Sequence, residues 1–452
     1  MPPTTNTGSG WEAGFGREII TPPLGTVLAG YFRPRPSMGV LDDLHVRALV
    51  LRRGKAVAGI CSLDLIFVTR EMVGAIRQVL RRRGLDFADN VNFSATHTHT
   101  GPFVSALFGV RPDQRYLRRV VAKAALAIEQ AYANLAPASL HYGGVRNNPL
   151  AFNRRYITRS GQVLTNPGRR NPEVVRPEGT VDREIGVLAV KRAGEVEGLV
   201  VNIVNHTDST GGARVSADWP GHLERFIRQT MGWDVPVLTL VGCAGNINHL
   251  NTSLPPDAPR SNARTIGLAY GQIVLRTLRR LQELPPVPLR AHRALVPIPF
   301  RKIPPADLAQ AQRLLQQGEP PTAGLLASEH LRHRGLDSQR FFAERLLHFH
   351  HRAGGKSARF EVSSLEFGRQ LAVVFLPGEC FTEIGLAIKK ASPFTRTFVA
   401  SLSNGTCGYV PMRECFARGG YETLPVEGGG VREDAAEILI NTAVHLLHRP
   451  TR

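Results

Sequence analysis

The chain has little cysteine, and the residues that it has are far apart in the sequence: Cys61, Cys243, Cys380, Cys407 and Cys415. An odd number of widely spaced cysteines without a Cys-x-x-Cys motif argues against a disulfide framework and against a thiolate metal site. We therefore expect these residues to be buried free thiols.

Long apolar segments are also absent. No stretch reaches the roughly 18 consecutive apolar residues that a membrane-spanning helix requires. The opening residues, MPPTTNTGSGWEAGFG, contain neither the basic segment nor the apolar segment of a secretion signal. The sequence thus predicts a protein without a transmembrane segment, and we expect a cytoplasmic location.

Acidic residues are too few to balance the basic ones. The chain has 56 Lys and Arg against 37 Asp and Glu, which gives a formal net charge of +19 at pH 7. The arginines are scattered, and there is no basic block with interleaved aromatic residues of the kind that nucleic-acid-binding proteins use. This favours an arginine-rich surface without a nucleic-acid partner, and it leaves peripheral contact with an anionic membrane open.

Short apolar, β-branched segments alternate with segments of helical periodicity. The strand candidates are 47–53, 56–68, 90–97, 186–192, 198–206, 235–242, 369–378 and 396–405, and the helix candidates are 70–84, 114–135, 221–232, 264–281 and 432–449. This alternation is typical of α/β proteins. We predict one domain over 1–452, with a mixed, largely parallel sheet core flanked by helices and a strand-free helical excursion at 303–352.

Polar residues follow several of the predicted strands at their carboxyl ends. They are Asp64, His97, His99, His206, Asn246, Asn248, Glu379, Asn404 and Tyr409. Binding sites of α/β sheets form where the carboxyl ends of strands meet. The sequence therefore predicts a functional site at this edge of the sheet.

Three of these residues suggest a metal. His97, His206 and Glu379 are a His₂Glu set of the kind found in zinc hydrolases. Residues i and i+2 of a strand point to the same face, so the segment SATHTH predicts that His97 and His99 enter one pocket. One ring would bind metal and the other would act as a base or a hydrogen-bond donor.

Each residue taken alone has a plainer explanation. A single histidine at a strand end is more often a hydrogen-bonded structural residue. Asp64 is as compatible with a cap of the helix at 69–84 as with a partner of a metal-binding histidine. Asp218 is likewise compatible with such a partner or with an ordinary turn residue. We treat His222 and His249 as structural. The combination of residues, rather than any one of them, indicates a site.

Several motifs resemble those of the neutral, non-lysosomal ceramidases. SATHTHTGP (94–102) is similar to a signature of that family, and further matches follow in family order: AGFGREIITPPLGTVLAGY (13–31), FNRR (152–155), VSADWPG (215–221), PGECFTEIGLAIKK (377–390) and GYVPMRECFARGGYE (408–422). The resemblance runs from residue 13 to about residue 445 and implies the catalytic domain of the family.

The resemblance implies a role for each matching residue. His97, His206, Glu379 and Tyr409 would hold one zinc ion. His99 would act as general base and then as general acid, and Arg154 and Tyr421 would face the developing oxyanion or hold the polar head of the substrate. The implied reaction is the hydrolysis of an N-acyl amide in a small-molecule or lipid substrate.

The chain also departs from the family pattern. Asn248 stands where ceramidases have a serine once proposed as a nucleophile, so the sequence favours an activated water over a covalent serine. The C-terminal immunoglobulin-like domain of longer members and a secretion signal are not found. A zinc hydrolase acting on another amide, a lactam or an ester remains the alternative, and a binding protein that has lost its chemistry is a third.

Overall fold

Two main β-sheets packed face to face, with helices on both outer sides, form the core of the part of the chain that the computed structural model describes, residues 10–32, 34–318, 335–426 and 428–450. The strands are β1 (Trp11–Ile19), β2 (Val27–Leu28), β3 (Arg35–Pro36), β4 (Gly39–Val40), β5 (His45–Arg53), β6 (Ala56–Leu63), β7 (Val91–Ala95), β8 (Ala136–Arg146), β9 (Phe152–Asn153), β10 (Arg155–Thr158), β11 (Val163–Thr165), β12 (Val174–Pro177), β13 (Glu184–Arg192), β14 (Glu195–Ile203), β15 (Arg214–Val215), β16 (Val237–Val241), β17 (Ile247–Asn248), β18 (Gln282–Leu284), β19 (Leu289–Pro299), β20 (Ser357–Phe367), β21 (Leu371–Phe375), β22 (Glu379–Cys380), β23 (Arg396–Ala400) and β24 (Tyr409–Val410).

The helices lie mostly between these strands. They are α1 (Arg70–Arg82), α2 (Gln114–Ala133), α3 (Asp218–Met231), α4 (Ala263–Leu278), α5 (Pro305–Gln316), α6 (Leu336–Arg352), α7 (Thr382–Ala391), α8 (Arg413–Arg418) and α9 (Ala435–Leu447). The helices predicted at 70–84, 114–135, 221–232, 264–281 and 432–449 are confirmed as α1 to α4 and α9. Helix α7 was not predicted.

The larger sheet has the strand order β16-β14-β13-β8-β1-β5-β6-β7, with β18 also pairing with β8, and the smaller sheet has the order β19-β20-β21-β23. Apolar side chains alternate between the two faces of the larger sheet. On β5, Leu49 and Leu51 pack against Phe367 and Phe375 of the smaller sheet, whereas Val46 and Val50 pack on the side of α1 and α2. This period-two alternation gives each sheet two buried faces.

The expected mixed α/β architecture is confirmed, but the expectation that the sheet is largely parallel is wrong. Parallel pairing occurs between β14 and β16, β6 and β7, and β21 and β23, and the other neighbours in the two sheets are antiparallel. Tight turns explain the difference. Ala193 and Gly194, with φ of 46° and 87°, connect β13 directly to β14, and such a two-residue turn reverses the chain.

The described part of the excursion predicted at 303–352 consists of helices α5 and α6 with a few connecting residues. Residues 303–318 and 335–352 contain no strand. Residues 319–334 lie outside the described part. Helix α6 packs near the site through its aromatic residues, and Phe341 contacts Phe32 and Phe108. The excursion therefore covers one side of the region where the polar strand ends meet.

The five cysteines are buried and unpaired, as expected. In the described residues, no helix is long and apolar enough to cross a membrane.

Candidate metal centre

The two histidines of SATHTH meet in one pocket, although not for the reason that strand periodicity suggests. Strand β7 ends at Ala95, and His97 has a left-handed backbone with φ of 67°. The His97 amide donates to the Leu65 carbonyl oxygen at 2.9 Å, which holds this turn against the end of β6. The imidazole centroids of His97 and His99 are 4.9 Å apart. The expectation of a shared pocket holds, but the strand geometry proposed for it is wrong.

His206 joins them from the end of β14. The loop after it is held by Asp218, whose carboxylate accepts the backbone N–H groups of Ser209 at 2.9 Å and Thr210 at 2.6 Å. The indole N–H of Trp219 donates to the His206 carbonyl oxygen at 3.0 Å. Asp218 thus acts on the loop behind His206, and it does not contact the imidazoles.

The Nε2 atoms of the three histidines form a nearly equilateral triangle. The distances are 3.2 Å from His97 to His206, 3.3 Å from His97 to His99, and 3.2 Å from His99 to His206. Tetrahedral zinc with Zn–N bonds near 2.0–2.1 Å requires N···N separations of about 3.3 Å. The three rings are buried, and together they form a group that can hold a metal ion.

Glu379 and Tyr409 reach the same place from two distant segments. Strands β22 and β24 pair in parallel and put Glu379 directly beside Tyr409. The Oε2 atom of Glu379 is buried, has no hydrogen-bond partner in the described part of the chain, and lies 3.3 Å from His97 Nε2. A buried carboxylate oxygen without a hydrogen bond is costly, and a cation among these donors would satisfy it. The donor set therefore fits zinc.

The second ring nitrogen distinguishes the histidines from one another. His97 Nδ1 lies 2.6 Å from the Ile66 carbonyl oxygen, and His206 Nδ1 lies 3.4 Å from that of Ala244. His99 Nδ1 has no hydrogen-bond partner, and the nearest carboxylate oxygen, of Asp208, is 3.7 Å away. Metal-binding histidines usually donate the other ring N–H to a carbonyl or carboxylate. His97 and His206 match that pattern, and His99 does not.

Protonation is biased toward neutral imidazoles at His99 and His206 beside an ionised carboxylate at Glu379. Burial, together with the charge on His97, lowers the pKa of His99 and of His206 well below the ordinary value. Burial alone would raise the pKa of Glu379, but His97 and Arg154 hold it below its usual range. Neutral imidazoles and a carboxylate are the forms in which these groups bind metals.

The guanidinium of Arg154 lies beside the histidines of the site. Its Nε donates to Glu422 Oε1 at 2.8 Å, its Nη1 lies 3.5 Å from His206 Nε2, and its buried Nη2 has no partner among the described residues. Glu422, which sequence reasoning missed, also accepts hydrogen bonds from Arg155 at 2.7 Å and Thr165 at 2.8 Å. This buried carboxylate fixes the arginine and leaves the Nη2 amino group available to a ligand.

The ring of Tyr409 lies between Tyr421 and the histidines of the site. Its ring packs against Tyr409 with centroids 5.5 Å apart, and it also contacts Phe32 and Phe342. Burial and the nearby Glu379 raise the pKa of Tyr421, so the phenol is neutral. Unlike Tyr409, it does not line the cavity beside the histidines.

The other residues at the strand ends have structural surroundings. Asp64 accepts hydrogen bonds from Arg47 at 2.8 Å and Thr96 at 3.1 Å and contacts no imidazole of the site, while the cap of α1 is Thr69. Asn248 donates to the side chain of Asn166. Asp64 therefore neither caps helix α1 nor contacts a histidine of the site.

Asp208 and Tyr31 are near the site and were not foreseen. The Tyr31 hydroxyl donates to Asp208, whose Oδ1 faces His99 Nδ1. The only sequence signal for Asp208 is its position two residues after His206. Tyr31 carries no signal, because it reaches the site through a loop folded back from the N-terminal region.

The fold and the site together define a class: an α/β protein whose strand ends bring three histidines and a glutamate into one buried candidate metal site. A cavity of about 240 Å³ opens beside these residues, and Phe67, Phe108 and Phe349 are among the apolar residues of its wall. The site is therefore accessible to a partly apolar ligand.

Comparison with known proteins identifies relatives of this chain. It is 27% identical to the neutral ceramidase of Pseudomonas aeruginosa over 223 residues, which cover 46% of this chain and 32% of that protein. The matched stretch thus spans about a third of that relative. No family model matches the chain.

Solved structures agree in fold. The crystal structure of neutral ceramidase from Pseudomonas aeruginosa has a TM-score of 0.74 and 18% identity, covering 97% of this chain and 74% of that one. A structure of ceramidase complexed with C2 gives the same score and identity, with coverage of 97% and 75%. The resemblance to the neutral ceramidases that the motifs predicted is confirmed in sequence and in fold.

Proposed function

We propose that this chain is a zinc-dependent hydrolase that cleaves the N-acyl amide bond of a ceramide-like lipid. The observation that carries the proposal is the triangle of histidine Nε2 atoms beside the buried Oε2 of Glu379, which lies 3.3 Å from His97 Nε2. The similarity to a neutral ceramidase supports the same reaction class.

In this proposal His97, His206, Glu379 and Tyr409 hold the zinc. Both histidines have a backbone carbonyl oxygen facing Nδ1, which leaves the lone pair of Nε2 for the metal. Tyr409 lies beside Glu379 in the parallel bridge. Zinc bound here would supply Lewis-acid polarisation of the substrate carbonyl and an acidified water.

His99 is the residue that moves protons. Its Nε2 faces the other two histidines, while its Nδ1 faces Asp208, which together with Tyr31 positions the ring. His99 Nε2 takes a proton from the attacking water and then delivers it to the leaving amine nitrogen. The lowered pKa of His99 keeps the ring neutral and ready to accept that proton.

Arg154 stabilises the negative charge that develops on the carbonyl oxygen. Its Nη2 is buried, unpartnered and fixed by the bond from Nε to Glu422. A donor that is already oriented gains most when charge develops in a water-poor site. Tyr421 is separated from the histidines by Tyr409, and its contribution to binding the polar head of the substrate stays a prediction.

The second candidate is hydrolysis of a shorter amide, a lactam or an ester by the same residues. The cavity beside the histidines is about 240 Å³, which is below the roughly 300–1,000 Å³ of typical small-molecule sites. By itself it is small for a substrate with two alkyl chains.

The deciding experiment measures fatty-acid release by mass spectrometry from a ceramide, from short N-acyl amides and from matched esters, with and without a zinc chelator. We expect chelator-sensitive release from ceramide, restored by added zinc. Release from short amides or esters alone would support the second candidate. Turnover that a chelator leaves unchanged would contradict the metal-dependent mechanism.

We also propose peripheral contact with an anionic membrane. Gly30, which lines the cavity, lies in the turn between β2 and β3, and the segments that flank these two strands expose Met38 to 81% and Leu24 to 63%, on a chain of net charge +19. We expect Met38→Asp to weaken co-sedimentation with phosphatidylglycerol vesicles. The matched change Val175→Asp, at a residue 61% exposed elsewhere, should not. Equal binding of both variants would contradict this contact.

A further inference from the structure

A second, larger cavity lies between the helical excursion and the segment that carries Tyr421. Its volume is about 480 Å³, twice that of the cavity beside the histidines and within the usual range for small-molecule sites. Helices α5 and α6 form one wall, and β11 with residues 420–426 forms the other. This cavity has no role in the proposed hydrolysis itself.

The chemistry of the wall specifies the kind of group that it accepts. The apolar lining consists of Val163, Leu164, Ala311, Leu314, Phe342, Ala343, Leu346, Leu424, Pro425 and Val426. Asp307 is the charged residue among the described lining residues, and it is exposed, as is Gln310. Because none of the described lining residues is a buried charge that could pair with an ionic group, the cavity suits an apolar chain.

This cavity lies directly beside the cavity of the metal centre. Val426 lines both cavities. Tyr421 lines the second cavity and packs edge-on against Tyr409, which lines the first. A polar site for amide chemistry and an apolar space therefore lie next to each other, and residues of helix α6 line both.

Two small side chains keep the space open. Ala311 of α5 is 3% exposed, and Ala343 of α6 is 6% exposed. Both line the cavity where the helices pack together. Leu314 and Leu346 leave a space between them, and larger side chains at the two alanine positions would fill it.

We propose that this cavity receives one alkyl chain of the substrate and thereby sets the chain length that the enzyme prefers. The inference rests on the proposed function, because it assigns the chain to a substrate cleaved at the neighbouring site. It also accounts for the small size of the first cavity, since one alkyl chain of a two-chain lipid amide would lie outside it. The occupant is a saturated or monounsaturated hydrocarbon chain.

The test compares Ala311→Phe with its matched control, Ala306→Phe, on the same helix. Ala306 is exposed and does not line the cavity. Using N-acyl amides from acetyl to stearoyl, we expect Ala311→Phe to lower the ratio of kcat/KM for stearoyl to that for acetyl substrates. The expected loss is roughly fourfold for each methylene kept out of the cavity. The Ala306→Phe control should keep the wild-type ratio.

A second variant keeps the test informative if Ala311→Phe does not fold. Leu314→Ala enlarges the cavity and should shift the preference toward longer or bulkier chains, which is the opposite direction. Thermal melting of each variant shows whether it is folded. If both variants are folded and keep the wild-type chain-length profile, the proposal is overturned.

A binding measurement separates this inference from the proposed reaction. Titration of the metal-depleted protein with a fluorescent long-chain fatty acid reports on the cavity without turnover. Weaker binding by Ala311→Phe than by Ala306→Phe supports the cavity even if no amide is hydrolysed. Hydrolysis of long-chain amides, with equal fatty-acid binding and equal chain preference in both variants, overturns the cavity assignment and leaves the proposed function intact.

Discussion

Replacing His99 by alanine is expected to lower kcat/KM for amide hydrolysis by roughly 10²–10⁴-fold, the usual contribution of a general acid–base residue, while the bound metal is retained. The reason lies in the ring contacts. His97 and His206 each face a backbone carbonyl oxygen through Nδ1, whereas His99 Nδ1 has no hydrogen-bond partner. Metal content measured by mass spectrometry, alongside steady-state kinetics, checks both parts.

The outcome that would contradict this assignment is loss of metal from His99→Ala. The Nε2 of His99 lies as close to the other two nitrogens as a third ligand would, so the metal measurement decides between the two roles. His351→Ala is a suitable control, because His351 is exposed on α6. That change should alter neither metal content nor turnover.

Replacing His206 by alanine is expected to remove the metal and, with it, the activity. His206 supplies one corner of the nitrogen triangle, and its loss removes one of the two imidazole ligands of the proposed set, leaving His97 as the single nitrogen ligand beside two oxygen ligands. The fold should persist, because the hydrogen bond from Trp219 goes to the backbone carbonyl oxygen of His206, which alanine keeps. Metal content and thermal melting together separate metal loss from unfolding.

The control for His206 is His222→Ala. His222 lies in α3 and is outside the histidine group, so its removal should leave the metal in place. If His206→Ala bound as much zinc as the wild type and remained active, the proposed ligand set would be wrong. Added zinc should not restore His206→Ala, whereas it should restore the chelated wild type.

Much of the candidate site could be predicted because polar residues in short sequence motifs are visible at strand ends. His97, His206 and Glu379 each follow an apolar strand in the sequence, and the structure brings all three together. Asp208 could not be predicted in the same way. Its role depends on facing the His99 ring, which only the loop after β14 determines.

The direction of the strands could not be predicted from the sequence. Apolar, β-branched segments with intervening helices suggested a largely parallel sheet, and most neighbouring strands are antiparallel. A buried strand has the same composition in either direction. Direction depends on which strands pair, and a short turn such as Ala193-Gly194 decided it for β13 and β14.

The sequence by itself determined the types of residue at the site and the apolar segments that carry them, because both follow from local periodicity and composition. Tertiary structure alone decided which imidazole has a backbone partner, that Glu422 fixes Arg154, and that an apolar cavity lies behind Tyr421. These features arise where segments far apart in the chain meet. Their geometry depends on packing distances between those segments, which no local pattern records.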